Sequence, residues 1–151
     1  MVCCKHHRYG PHKSKVIDKL TDQLQRNGLI KDDDGPWGAI IMLAAKPHQE
    51  DVPWHKYKWR LCISYQWLNQ VTHPFEFPIP WCDDVVEDIN LDTWFFIAID
   101  MDLGYWQIVA EPKAQARLAF FTPEGKKQWT VMLMGALNSA SIFVAMMLAL
   151  Q

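Results

Sequence analysis

Two carboxylates, Asp100 and Asp102, close the apolar run Trp94-Phe95-Phe96-Ile97-Ala98-Ile99, and of all the groups in this sequence they are best placed to do chemistry. An apolar strand that ends in a carboxylate sets that group at the rim of a hydrophobic core, facing solvent or a cleft. Side chains alternate along an extended chain, so Asp100 and Asp102 share a face if the segment stays extended. Hard divalent cations take oxygen ligands, and Mg²⁺ often keeps only one or two carboxylates alongside substrate phosphates. On these residues alone two readings stay open: a strand ending in a solvated polar turn, and a metal-binding rim. Cys3, Cys4, His6 and His7 have the ligand types for zinc. Adjacent ligands wrap a tetrahedral ion poorly, however, and no second pair follows at a finger-like spacing. Positive charge gathers locally, at Lys5, Arg8, Lys13 and Lys15, at Lys56, Lys58 and Arg60, and at Lys126 and Lys127. Each such group fits a solvated surface or a short phosphate track.

The elements that must position these groups are legible in outline. Residues up to about Pro11 read as a loose tail. An amphipathic helix follows, with Ser14 as its N-cap, Ile17, Leu20 and Leu24 on one face, and Gly28 where a left-handed C-terminal cap belongs. Lys31 to Gly35 is a polar loop, and Ala39 to Ala45 is short and apolar enough for a strand. Lys46 to Tyr57, with two Pro and two His, reads as an exposed loop before a second strand, Trp59 to Tyr65. Pro74, Pro78 and Pro80 force an extended segment, and Asp83 to Ile89 follows as one or two helical turns. Strands are expected over Trp94 to Ile99, which delivers Asp100, and over Tyr105 to Val109. Arg117 to Thr122 and Gln128 to Met132 flank the hairpin signal Pro123-Glu124-Gly125-Lys126-Lys127. Ser139 to Gln151 reads as a helix capped by Asn138 or Ser139. Strands and helices mix without regular βαβ alternation, which predicts an α+β class.

A chain of 151 residues, half of them hydrophobic and eight of them Trp, can bury one real core, but two complete domains would be crowded. With a formal net charge of −2, bulk electrostatics do not announce a nucleic-acid binder. The polar, basic first ten residues carry no secretory apolar core, and no stretch approaches a membrane span. The expected setting is reducing and intracellular, in cytoplasm or nucleus, with no membrane partner.

Gly104-Tyr105-Trp106-Gln107 follows Asp100 at a fixed distance, and the segment resembles the Asp-x-x-x-Gly-Tyr-x-Gln pattern of gypsy-type retrotransposon reverse transcriptases. Other blocks resemble the same family, in the family's order. Gly35-Pro36-Trp37-Gly38-Ala39 is similar to its Ser-Pro-Trp-Gly-Ala block. Trp59-Arg60-Leu61-Cys62-Ile63 and Tyr65, with Leu68-Asn69 and Val71-Thr72, are similar to the block that follows in the fingers. Phe77-Pro78-Ile79-Pro80, with Asp83, resembles the step into the palm. Phe120 to Gly125 resembles the next hairpin, and Val131-Met132, Gly135, Asn138, Ala140 and Phe143 resemble the segment beyond it.

The resemblance implies roles, position by position. Asp100 takes the place of the catalytic carboxylate that bridges two Mg²⁺ ions, and the backbone carbonyl of Met101 that of a second metal contact. Arg60 matches the arginine that clamps the incoming triphosphate, a task suited to a planar, always-charged fork. Tyr105 matches the aromatic under the sugar that excludes a 2′-hydroxyl. Met134 and Gly135 match residues flanking nucleotide and template. The implied partners are an RNA or DNA template with its primer, and deoxynucleoside triphosphates. An Asp-x-Asp glycosyltransferase is the competing enzyme reading, disfavoured because no nucleotide-binding βαβ half precedes Asp100. A non-catalytic retroelement relic with weak nucleic-acid or nucleotide binding is the competing non-enzyme reading.

The sequence also departs from the family pattern. Gln66 and Gln70 stand where Arg and Lys are frequent, Ser64 where Asp is, and Leu133 and Ala140 where Pro is. No Tyr-x-Asp-Asp follows Asp100 within these residues. The expected architecture is therefore a right-hand polymerase's fingers and partial palm, with no thumb and no second half of the palm. Its parts would be a tail over 1–13, fingers over 14–73, a palm segment over 74–107, a fingers hairpin over 108–138 and the start of a palm helix over 139–151. Such a chain is expected to be inactive alone and to self-associate through its uncovered palm.

Overall fold

The computed structural model describes residues 8–78, 81–87, 89, 92–98 and 100–150, and of residues 54, 82 and 85 the backbone only. Helix α1, Pro11–Arg26, begins earlier than Ser14 because Pro11 occupies its first position, where a missing N–H costs nothing, with Gly10 as N-cap. Tyr9 ties this start down, its hydroxyl donating to the Ile41 carbonyl at 2.8 Å. Ile17 and Thr21 are the buried face. The helix ends as expected at Gly28, whose φ is +72°. Leu29 N–H donates to Leu24 O at 3.0 Å and Gly28 N–H to Gln25 O at 2.9 Å, the paired bonds of a Schellman cap.

Five strands form one sheet in the order β1-β5-β4-β2-β3, so the late hairpin lies between strands from the first half of the chain. These are β1 Ile30–Asp32, β2 Ala39–Ala45, β3 Trp59–Ser64, β4 Ala119–Thr122 and β5 Gly125–Trp129. β2 pairs antiparallel with β3 and parallel with β4, and β3 is an edge strand. Ile17, Ile30, Ile41, Phe120 and Trp129 meet in the core. Gly38 is required at its place beside the sheet, because a Cβ there would come within 2.3 Å of the Phe121 ring. Tyr65 is buried at the end of β3 and donates to Leu118 O at 2.9 Å. Burial pushes its phenol pKa well above the ordinary value.

The other elements among the described residues are a 3₁₀ turn over Trp54–Lys56, α2 Gln66–Gln70, α3 Cys82–Glu87, a second 3₁₀ turn over Gly104–Gln107, α4 Pro112–Arg117, and α5 Ser139–Ala149 with Asn138 as its N-cap residue. Several expectations are corrected here. Arg117 ends helix α4 rather than opening a strand, since Pro112 sits at the first helical position of Pro112–Arg117. Tyr105 lies in the 3₁₀ turn, leaving only Val109 in an isolated bridge with Val131.

The expected strand from Trp94 is not one. Its described residues, 94–98, are exposed and outside any strand, with Trp94 at 86%, Phe95 at 89% and Ile97 at 89% exposure. A strand exists only where a neighbour takes its backbone hydrogen bonds, and no described residue does so here. Ile99 lies outside the described residues, as do Cys3, Cys4, His6 and His7 of the weighed zinc site.

Lys126 and Lys127 serve the fold. Lys126 pairs with Asp33 at 2.9 Å and also donates to the Gly35 carbonyl, and Lys127 reaches Asp32 at 2.8 Å. The acidic loop is thereby latched to the hairpin, so these two charges are not a free phosphate track.

Candidate functional site

Edge strand β3 presents one wall of a cavity of about 430 Å³. Arg60 and Cys62 come from β3, Leu103, Tyr105 and Trp106 from the 3₁₀ turn, Trp129 from β5, and Leu133, Met134 and Gly135 from the turn beyond it. Arg60, Tyr105 and the adjacent pair Met134–Gly135, from three places far apart in sequence, are therefore brought to one space. Arg60 and Met134 are exposed at its edge, while Tyr105 is half-buried.

The aromatic floor is built by packing from several elements. The Tyr105 ring stacks on Phe143 of α5 with centroids 5.0 Å apart, and Trp106 tilts against Trp129 at 5.7 Å. Gly104 lets Phe143 come that close, since a Cβ at this position would lie 3.0 Å from the Phe143 ring. Such aromatic contacts are worth about 0.5–1.5 kcal/mol beyond the area they bury.

The turn from Asp100 into the cavity is a tight one. Leu103 adopts a left-handed conformation at φ +51°, which costs a residue with a Cβ roughly 1–2 kcal/mol. Trp106 N–H to Leu103 O at 2.7 Å and the Gln107 amide to Asp102 O at 2.7 Å hold it closed. The carboxylates themselves stay outside the cavity: Asp100 and Asp102 are both exposed, and Met101 is half-buried. A Cβ on Gly104 would lie 3.4 Å from the Met101 Cβ, so the backbone of the turn brings these two positions close together.

The donor set tests the expected Mg²⁺ site. Asp100 and the Met101 carbonyl are hard oxygen ligands, right in kind for Mg²⁺. No group of three or more His, Cys, Asp or Glu side chains converges among the described residues. These residues do not by themselves complete a site for two ions.

Trp106, Cys62 and Phe143 stand in the sequence blocks without a site role assigned to them, and Trp129 stands in none. Period-two alternation from Arg60 puts Cys62 on the same face and would have found it. Nothing local announces Phe143, because its contact with Tyr105 spans 38 positions, from 105 to 143.

Comparison with known proteins agrees with this geometry at the level of family and fold. Residues 46–150 match the family model described as reverse transcriptase (RNA-dependent DNA polymerase). The genome polyprotein of Petunia vein clearing virus (isolate Shepherd) is 29% identical over 138 residues, covering 91% of this chain and 6% of the polyprotein. The retrovirus-related Pol polyprotein from transposon 297 of Drosophila melanogaster is 26% identical over 132 residues, covering 87% of this chain and 12% of that protein. Both relatives are therefore many times longer than the matched segment. The foamy viral protease-reverse transcriptase in complex with RNA/DNA hybrid aligns with a TM-score of 0.74 at 18% identity, over 95% of this chain and 18% of the other. Native prototype foamy virus protease-reverse transcriptase gives a TM-score of 0.75 at 20% identity, over 97% and 19%.

Proposed function

This chain belongs to the reverse transcriptase (RNA-dependent DNA polymerase) family, and from that premise we propose that its cavity receives the incoming deoxynucleoside triphosphate. The convergence of Arg60, Tyr105, Met134 and Gly135 on one space carries the reading. Arg60 supplies a bidentate, permanently charged donor for the triphosphate at the open edge. Tyr105, backed by Phe143, offers a flat face under the sugar where an extra hydroxyl would have no room. Met134 and Gly135 border the base and the template strand.

In the intact parent, of the gypsy-type retrotransposon class, the reaction is DNA synthesis on an RNA or DNA template. The primer 3′-hydroxyl attacks the α-phosphate of the nucleotide and pyrophosphate leaves. Asp100 and the Met101 carbonyl would supply oxygen ligands to Mg²⁺, which when bound would neutralise the charge of the transferred phosphate. Solved relatives of the same fold include complexes with RNA/DNA hybrid and with double-stranded DNA, which supports a primer–template duplex as the partner. A location inside the cell, within retroelement particles, follows from the same reading.

Asp100→Asn and Asp102→Asn, made in this chain joined to the remaining palm of a related reverse transcriptase, separate the readings. Loss of primer extension by at least a thousandfold for Asp100→Asn, with most activity kept by Asp102→Asn, is the expected result. Equal losses at both positions favour the paired carboxylates of an Asp-x-Asp metal site and defeat this assignment. One carboxylate does not hold two ions through a reaction, so the 151-residue chain alone should extend no primer above background.

A further inference from the structure

Two asparagines of the sequence blocks, Asn69 and Asn138, take no part in the cavity itself. We propose that they form a reciprocal amide clasp that positions the Met134–Gly135 rim of the nucleotide cavity, acting on nucleotide binding without touching the nucleotide. The inference rests on the nucleotide-binding reading above.

The clasp ties two segments that lie more than sixty positions apart in the chain. Asn69, near the end of α2, donates its amide N–H to Gly135 O at 2.9 Å, and its amide oxygen accepts the Leu137 N–H at 3.0 Å. Asn138 works in the opposite direction, donating to His73 O at 2.9 Å and accepting from Phe75 N–H at 2.9 Å. Each amide thus uses a donor and an acceptor on backbone groups of the other's segment. Among short side chains, only the primary amide of Asn offers both on one rigid plane.

Neither residue is spent on its own helix. Asn138 is the N-cap residue of α5 yet makes no capping hydrogen bond, although Asn is among the best residues for that task. Its amide goes to the 73–75 segment instead. The object held is a turn that needs holding. Gly135 has φ +89°, a conformation a residue with Cβ resists, and Met134 beside it is 74% exposed, with little packing to restrain it. Asn69 grips this turn on both sides, at Gly135 O and Leu137 N, and so fixes where the Met134 side chain and the Gly135 backbone face the cavity.

The test uses the whole chain, carrying Phe95→Ser and Ile97→Ser throughout to keep it in solution, titrated with dTTP by calorimetry. Amide hydrogen exchange is followed at Leu137 and Phe75, and NMR at the Met134 methyl. Asn69→Ala should raise exchange at Leu137, Asn138→Ala should raise it at Phe75, and each should do so at least tenfold while exchange in β2 stays unchanged. Each should also weaken dTTP binding about tenfold, which is about 1.4 kcal/mol, and Asn69→Ala should shift the Met134 methyl. Faster exchange with dTTP affinity held within twofold would show that the clasp serves stability alone and would overturn the proposal. Unchanged exchange at both amides would overturn the clasp itself. If the chain with both asparagines intact binds no dTTP, the nucleotide reading fails separately. The Met134 methyl then decides: displaced in Asn69→Ala it supports positioning of the rim, and unmoved it rejects it. Should Asn69→Ala not fold, Asn69→Asp keeps the size and one acceptor while losing the donor to Gly135, and is judged by the same measurements.

Discussion

Lys126 shows how little a basic pair reveals until its partners are seen. Its ammonium and the Asp33 carboxylate are both largely buried, at 15% and 5% side-chain exposure. Removing Lys126 leaves the buried Asp33 charge uncompensated, with the Gly35 N–H at 3.1 Å still donating to it, and Lys126→Met should cost about 3 kcal/mol of stability in urea unfolding. A loss below about 0.5 kcal/mol would mean that Asp33 finds water or another donor. Asp32 differs, because it is exposed and merely leans on Lys127. The hydrogen bond from Lys127, together with its charge, holds the Asp32 carboxyl below the ordinary carboxylate range. A depressed acid favours the folded state above its unfolded pKa of about 3.9 and loses that contribution as pH falls through the lower, folded value. Acid unfolding followed by fluorescence should therefore start at a lower pH for the parent chain than in a background whose Asp32 latch has been weakened by Lys127→Met. Identical profiles would show that the latch carries no weight. Gly38→Ala tests packing rather than charge. Its new methyl must displace the Phe121 ring, and overpacking of this kind costs roughly 1–3 kcal/mol.

At the scale of elements, strand-forming residues and strands part company. Trp94 to Ile97 are bulky and apolar, with the propensity of a buried strand, yet they stand exposed and outside any strand. In contrast β2, no more apolar, is held from both sides by β3 and β4 and buries Ile41 almost completely. Amide exchange should reflect the contrast. Residues 94–98 should exchange within about tenfold of an unstructured peptide, and the paired amides of β2 at least a hundredfold more slowly, since protection tracks local opening. Comparable protection in both segments would reveal a partner for the 94–98 backbone in solution. The short helices obey the same logic. α2 and α4 are 5 and 6 residues long, far too short to hold themselves together, and are kept by tertiary contacts.

For the whole molecule, many large apolar side chains are exposed. Trp81, Trp94, Phe95 and Ile97 are exposed, as are Leu148 and Leu150 at the end of α5. A contiguous apolar area beyond a few hundred Å² favours association. The isolated chain is therefore expected to run as an oligomer, or to precipitate, at micromolar concentration in size-exclusion chromatography with light scattering. Phe95→Ser with Ile97→Ser should move the population toward monomer. A sharp monomeric peak for the unmodified chain would remove this expectation. No helix among the described residues is long and apolar enough to cross a membrane, so this surface is not explained by a helical span.

Local chemistry was readable directly from the residues. Gly28 ends α1 because a left-handed cap needs no Cβ, Pro123-Glu124-Gly125 turns the hairpin, and the ordered blocks from Gly35 to Phe143 identify the family. Each of these depends on residues within a few positions of one another, where backbone sterics and hydrogen bonding decide the outcome. The start of α1 at Pro11, the 3₁₀ turn at Tyr105 and the helix ending at Arg117 were less legible, because short elements take their shape from what they pack on. Three features were decided only by the tertiary structure: the gathering of Arg60 with Tyr105, Met134 and Gly135, the Phe143 ring behind Tyr105, and the double grip of Asn69 and Asn138. Residue type says what a side chain offers, but a partner dozens of residues away is chosen by the closing of the sheet, where β2 and β4 meet in parallel and draw the two halves of the chain together.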